Sequence, residues 1–430
     1  MRSPHDREIL RLAVPALGAL ASEPLYVLAD TAIIGHLGTP QLAALAMAGA
    51  VLTTAFTLFN FLTYGTTAQV ARLHGAGREG EAGSLGIQAF WLGLGVGGLL
   101  LVLLAALAPA LIGLMGGQGR IGGEATTYLR IAALGAPFFM LAAAAQGYLR
   151  GISDLRTPLV ILVFAHGANV VLDLVFVYGF GWGLEGSAWG TVIAQLGMAV
   201  AFARVQSRAG WEAPSLRRIR TLVRVGGEIA VRTTALLGSF LLASAFLGRV
   251  GAASLGAHQI VFQLFIFVAL VLDAIAIAGQ VMVGRMLGAG DALGARAASR
   301  RMIGWSVLVG GGFALVLLAL ADLLPRAFTS DPAVIERAGE IWWMFALMMP
   351  FNAAVFALDG ILIGAGDTRF LMWGMLAAAA VHVPVALLAL DRGWGIEGVW
   401  WGILGLIAVR LATCLSRFRG DAWLLTGERA

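Results

Sequence analysis

Three residues of the first apolar stretch, Glu23, Tyr26 and Asp30, have types and spacing that can do chemistry. Tyr26 lies four residues before Asp30 and Glu23 seven, so at 3.6 residues per turn all three share one helical face. Asp30 sits among Val27, Leu28, Ala29, Ala32, Ile33 and Ile34, in a run long enough to cross a bilayer. A carboxylate at that depth costs about 2.5–3.5 kcal/mol on insertion scales and marks a functional hypothesis. The plainer alternative is an acid neutralised by a partner for packing. Pro15 and Pro24 interrupt the same helix, and Pro24 cannot donate to the carbonyl of Leu20, which frees backbone beside the acidic face.

Two later helices add to this set. His166, Asn169 and Asp173 fall at i, i+3 and i+7, and Ser187, Thr191 and Gln195 recur every four residues. Two carboxylates, an amide oxygen and a hydroxyl are thus offered to one interior. Two carboxylates in an apolar interior cannot both ionise cheaply, so one keeps its proton or a cation enters. Asp, Asn and Thr oxygens are hard ligands, suited to H⁺ or Na⁺ rather than to a soft metal. His166 fits either a proton relay or a bond to a carbonyl.

The elements that must position these side chains follow from composition. The chain is 59% hydrophobic and 12% charged, with a mean hydropathy of +0.87. Soluble domains carry about 25% charged residues, so this is an integral membrane protein. Spans are predicted at about 9–36, 41–66, 84–113, 125–149, 157–180, 185–207, 220–248, 254–283, 298–322, 334–363, 369–390 and 395–417. Almost nothing lies outside them, which leaves no room for a soluble catalytic or nucleotide-binding domain. The first helix is too long for a signal peptide and lacks a convincing cleavage site. Cys414, the single cysteine, can form no internal disulfide. The 58 glycines suit close helix packing in lipid.

All 29 basic residues are arginine, giving a net charge of +5. With alternate loops assigned to two sides, Arg120, Arg130, Arg249, Arg326, Arg337 and Arg392 lie opposite the N-terminus. Arg232 falls inside a helix, as the only intramembrane arginine, and the rest, Arg410 among them, share the side of the N-terminus. Both termini are therefore expected in the cytoplasm. The basic charge reports topology and does not argue for nucleic acid.

The chain repeats itself. GWGLEGSAWG at 181–190 returns as GWGIEGVWWG at 393–402, and the segment 137–156 returns at 350–369. Pro137/Pro350, Gly147/Gly360, Gly151/Gly364, Asp154/Asp367 and Arg156/Arg369 coincide at an offset of 213, as does GAG at 75–77 and 288–290. Two six-helix halves result. Six is even, so they are parallel repeats, with a substrate site expected at their interface near the midplane. We expect an N-terminal lobe over 1–210 and a C-terminal lobe over 211–430, joined by a cytoplasmic linker at about 208–219. Glu185 and Glu397 read as helix-start charges beside an aromatic belt of Trp.

The halves differ in their acids. The mate of Asp30 is Ala243, and that of Asp173 is Ala386 or Val385. The C-terminal half has Glu228, Arg232, His258, Gln259, Asp273, Asp359 and His382. Glu228 and Arg232, four apart, are expected to pair with each other. Asp359 is the mate of Gln146, and both could line a substrate cavity, as could Glu23, Tyr26 and His166.

EPLYVLADTAIIGHLGTPQLAALA at 23–46, AHQI at 257–260 and GAGDTR at 364–369 resemble multidrug and toxic compound extrusion (MATE) transporters, most closely the DinF-like branch. The resemblance covers the whole chain. It implies two lobes that rock about a central cavity while organic cations or amphipathic drugs leave in exchange for H⁺ or Na⁺. It also implies that Asp30 is the coupling acid with Pro15 at its helix bend, and that Asn169, Asp173 and Thr191 complete the cation site beside Tyr26. Glu23 departs from the uncharged polar residue expected there, and a third carboxylate could change the ion, its stoichiometry or the preferred substrate charge.

Other classes fit less well. HExxH, GxSxG and, without lysine, a Walker A motif are absent. Gly93, Gly95 and Gly98 spell GxGxxG inside an apolar helix rather than after a strand, which reads as packing. An Asp30–Asp173 hydrolytic dyad would need turnover without a gradient. A flippase for lipid-linked precursors calls for a basic cavity, and the lobe asymmetry suits alternating access better than a channel. The expectation is an all-α integral membrane protein of twelve transmembrane helices in two pseudo-symmetric six-helix bundles. It acts as an efflux antiporter, not an enzyme, in a bacterial cytoplasmic membrane. It is a monomer in the lipid bilayer, without cofactor or resident metal beyond H⁺ or Na⁺ as the coupling ion.

Overall fold

The computed structural model describes residues 4–427. Among them the regular elements are all helical. The first half contains α1 (Pro4–Gly35), α2 (Thr39–Leu58), α3 (Phe61–Gly75), α4 (Glu79–Leu114), α5 (Gly119–Ala133), α6 (Ala136–Gly151), α7 (Arg156–Leu174) and α8 (Gly183–Gln206). A π-helical turn, Val175–Gly179, follows α7 directly. The second half contains α9 (Leu216–Val250), α10 (Ala252–Gly288), α11 (Ala292–Ala319), the short α12 (Leu324–Phe328), α13 (Pro332–Gly364), α14 (Thr368–Asp391) and α15 (Gly395–Arg419).

Eleven spans among the described residues are long and apolar enough to cross a membrane, with α2 and α3 counted together, and a bent pair brings them to twelve. That pair is α5 and α6, which meet at 48° where a single helix over 125–149 was expected. The break at Leu134-Gly135 comes just before Pro137, which can neither donate to the preceding turn nor leave its neighbour freely helical. Its mate Pro350 sits inside an unbroken α13, preceded by two methionines where the first half has a glycine. Helix α1 runs without a break through both Pro15 and Pro24.

Contacts divide the chain into two compact units, one spanning Gly18–Gly226 and the other joining the residues up to Leu17 to those from Gly227 on. The division falls inside α1 and α9, which the chain-order lobes 1–210 and 211–430 do not express. Local pairs account for it. Asp6 accepts from Arg301 and Trp305 of α11, and Glu8 pairs with Arg285 of α10. Within the other unit, Arg218 of α9 meets Ser84 of α4, and Phe61 of α3 lies against Gly226.

Each unit is built around a seam of small residues, which suits helices that must pack without a hydrophobic drive between them. In the first, Gly147 of α6 leaves no room for a Cβ, which would stand 2.8 Å from the Thr63 carbonyl of α3. In the second, its mate Gly360 of α13 would put a Cβ 2.1 Å from the carbonyl of Ala276 of α10, the mate of Thr63. Gly97 against Pro137 and Gly310 against Pro350 repeat the pattern. Thr63 and Thr67 tighten the first seam by donating to the carbonyls of Ala143 and Gly147. The turns repeat as well, since Gly38 and Gly251, at φ 138° and 152°, begin α2 and α10 in a conformation that side chains disfavour.

The repeat also slips by one residue. Arg156 and Arg369 are 213 apart, whereas Gly181 and Gly393 are 212 apart. The extra residue in the first half is absorbed by the π-helical turn, in which Phe180 donates to the Val175 carbonyl five residues back. The corresponding stretch of α14 is continuous α-helix to Asp391.

Candidate functional site

The site is assembled within the unit Gly18–Gly226. Asp30, only 5% exposed, accepts a hydrogen bond from Ser187 Oγ of α8 at 2.7 Å. One turn earlier on α1, the Tyr26 hydroxyl lies 3.0 Å from Thr191 Oγ, one turn further along α8. The two helices therefore dock antiparallel through paired i, i+4 positions, which gives the spacing of both sequences a single cause.

Helix α7 closes the cluster. With its amide oriented to satisfy both neighbours, Asn169 donates to both oxygens of Asp173, at 3.0 and 2.8 Å. The other end of the amide stands 3.4 Å from Thr191 Oγ. A chain of hydroxyl and amide groups thus runs from Tyr26 through Thr191 and Asn169 to Asp173. Asp173 is fully buried and lies against α8 at Gly190, where a Cβ would be 2.3 Å from Asp173 Oδ1. The π-helical turn begins two residues later, and its Tyr178 donates to the Ile33 carbonyl of α1 at 2.6 Å. π-turns inside helices are frequent at functional sites.

His166 stacks on Tyr26 with ring centroids 5.2 Å apart, and its Nδ1 is buried without a partner among the described residues. Tyr128 of α5, buried beside Ser187 and Thr191, faces the same two acids. Two of the protein's rare intramembrane carboxylates, four hydroxyls and one amide therefore share one region. The oxygens of Asp30, Asp173, Asn169 and Thr191 are the donors available to a proton or a hard monovalent cation. Among the described residues, no group of three His, Cys, Asp or Glu side chains converges as a metal site.

The structure thus brings together Tyr26, Asp30, His166, Asn169, Asp173 and Thr191. Glu23 is exposed on α1, outside the cluster. Gln195 is turned toward Gly135 at the α5–α6 break. Gln146 accepts from Arg150 at 3.3 Å. In the other unit the mates are Ser239 for Tyr26, Ala243 for Asp30, His382 for Asn169 and Val399 for Ser187. His382 Nε2 lies 3.1 Å from the Ser239 carbonyl, so the equivalent place holds no carboxylate.

Three expectations about the second half are corrected. Arg232 does not pair with Glu228; it reaches α13 and donates to Asp359 at 2.8 Å. Glu228 instead accepts from Thr368. Arg410, counted with the basic residues on the side of the N-terminus, is only 4% exposed and donates to the same Asp359 oxygen at 2.5 Å. Arg232 is accordingly not the only arginine buried in this region, and Asp359 is occupied by two guanidinium groups. Spacing on one helix favours i, i+4 pairs, but a buried carboxylate on a neighbouring helix, with no water to solvate it, is the stronger partner.

Tyr128, Gly190 and the burial of Arg410 were not anticipated from sequence. Tyr128 lies on α5 among Arg120, Glu124, Thr126, Thr127 and Arg130, so nothing in its spacing sets it apart. Gly190, three residues after Ser187 on a polar-striped helix, was the available sign of a close approach.

Comparison with known proteins gives a consistent result. Residues 15–175 and 229–388 each match the family model MatE, so the two matches fall on the two repeats. Protein DETOXIFICATION 44, chloroplastic, of Arabidopsis thaliana is 30% identical, over 94% of this chain and 80% of its own length. The probable multidrug resistance protein NorM of Xanthomonas campestris is 31% identical over 97% of this chain and 95% of that protein. DNA damage-inducible protein F of Escherichia coli is 27% identical over 94% and 90%. A crystal structure of a mutant of the Vibrio cholerae MATE transporter VcmN shares the fold, with a TM-score of 0.88 at 21% identity over 98% of both chains. With both halves matched over most of their length and the acid cluster held within the first, the chain belongs to the MatE family, the multidrug and toxic compound extrusion transporters.

Proposed function

We propose that the protein is a secondary active antiporter that exports organic cations or amphipathic drugs in exchange for H⁺ or Na⁺. The observation that carries this reading is the joint burial of Asp30 and Asp173 in one hydrogen-bonded region that α1, α7 and α8 build together. Relatives named for multidrug resistance support the substrate class. The arginine asymmetry supports a cytoplasmic membrane with both termini inside. A proton or Na⁺ reaching the acids changes the charge that Ser187, Asn169 and Thr191 must satisfy, and with it the docking of α1 on α8. Exchange then requires only that the loaded and unloaded states differ in drug affinity, which makes the coupling reciprocal. We place the two lobes at 1–210 and 211–430 and take the working unit to be a monomer.

The test is dye efflux from reconstituted vesicles energised separately by a pH gradient and a Na⁺ gradient. Efflux under the pH gradient alone makes Asp30 and Asp173 proton acceptors, and efflux under Na⁺ alone makes the cluster a sodium site. If neither gradient moves an organic cation, the proposal fails.

The packing of α8 on Asp173 makes a second prediction. Gly190→Val is expected to cut efflux by about tenfold or more, because its side chain displaces a reacting group by more than an ångström. Gly197→Val, with nothing within 4 Å of its Cβ, should transport normally in the same vesicles.

A further inference from the structure

The second unit holds a cluster outside the cation site described above. Arg232 of α9 and Arg410 of α15 both donate to Oδ2 of Asp359 on α13, at 2.8 and 2.5 Å. Asp359 Oδ1 faces Cys414 Sγ at 4.0 Å. Beside them lies a cavity of about 10 Å³, lined among others by Arg232, Asp359, Phe370, Arg410, Thr413 and Cys414. That volume has room for one water or one monatomic ion.

The charges do not balance. Guanidinium groups stay protonated, so two cations share one carboxylate. An uncompensated charge taken out of water costs several kcal/mol. Asp367 is bound by both Arg417 Nε and Nη2, and Glu228, one turn before Arg232, accepts from the neutral Thr368 hydroxyl and makes no ion pair with Arg232 or Arg410 among the described residues. Arg232 Nε is buried with no hydrogen-bond partner among the described residues. The Thr413 hydroxyl donates to the backbone carbonyls of Val409 and Arg410. The cavity is therefore flanked by excess positive charge and an unspent N–H donor, and it is the size of a single particle. Water fits the space but leaves the charge, whereas a cation is repelled and a carboxylate or phosphate is too large.

We propose that this cavity binds a monovalent monatomic anion of chloride size, which completes the Arg232–Asp359–Arg410 cluster. The proposal goes beyond the transport reading and does not depend on which ion is coupled at Asp30.

The experiment uses the full-length protein in lipid nanodiscs, exchanged into sodium gluconate, with chloride or bromide titrated in at constant ionic strength. The readout is the thermal unfolding midpoint. Wild type should show a saturable rise with either halide, and Arg410→Gln and Arg232→Gln should lose it. Asp359→Asn removes the competing carboxylate and should lower the half-saturating chloride concentration by about threefold or more. Arg417→Gln, which touches Asp367 rather than the cavity, should respond like wild type. Equal midpoints in gluconate and chloride overturn the proposal, as does a halide response that survives both Arg→Gln changes. If the arginine variants fail to fold, bromide in wild-type crystals decides: an anomalous peak in the cavity supports the site, and its absence at saturating bromide refutes it.

Discussion

Asp30→Asn is expected to lose gradient-driven efflux while keeping the fold. The substitution is nearly isosteric, and Ser187 Oγ, 2.7 Å from Asp30 Oδ1, can still donate to the amide oxygen. The packing of α1 on α8 through Tyr26 and Thr191 is untouched. What disappears is the ability to take up a proton or to pair with a cation. Coupling free energies between sites are typically 1–3 kcal/mol, so coupled efflux should fall about 5–150-fold, down to leakage. Stability should not fall, because a buried charge is expensive and its removal relieves that cost. The check is efflux in vesicles together with the thermal midpoint of the purified variant. Full transport by a folded Asp30→Asn protein would remove Asp30 from the mechanism.

The second large effect is on stability. Gly360→Ala places a Cβ 2.1 Å from the Ala276 carbonyl, and backbone cannot yield as a side-chain tip can. Overpacking of this kind costs about 1–3 kcal/mol or more, so the thermal midpoint should drop by several degrees. Its repeat mate, Gly147→Ala, meets the Thr63 carbonyl at 2.8 Å and should cost less. Gly95→Ala is the control, because nothing lies within 4 Å of its Cβ and alanine favours helix by about 1 kcal/mol. A neutral Gly360→Ala would mean that α10 and α13 can move apart without loss, against the seam described above.

The two seams explain why so much of the fold was legible. Gly147 and Gly360 were aligned by a repeat in the letters alone, and the repeat survives because each glycine meets the same carbonyl position in its own unit. The acid cluster was legible for a different reason. Asp30, Asn169, Asp173 and Thr191 are polar letters in apolar text, and their spacing by three and four encodes one face. Nothing local encodes which helix that face meets. Arg232 therefore read as a partner of Glu228, its neighbour by one turn, although its partner Asp359 is 127 residues away. Arg410 sits ahead of Arg417 near the end of α15 and read as part of a basic end, because burial by a neighbouring helix leaves no mark on the sequence. The α5–α6 break was hidden similarly, since Pro137 and Pro350 look alike and only the residues before them differ.

The π-helical turn after Asp173 has a bearing on how two copies of one segment came to do different work. One added residue turns everything beyond it by about 100° relative to an undisturbed helix. In the first half the turn takes up that residue between Asp173 and the GWGLEG segment, whose glycine and glutamate letters still match those of the other copy. A single codon is thus enough to re-aim one face of a duplicated helix while sparing the motifs that anchor it at both ends. Divergence of this kind needs no rebuilding of the scaffold, and it leaves one copy free to carry charge while the other remains neutral at the equivalent place.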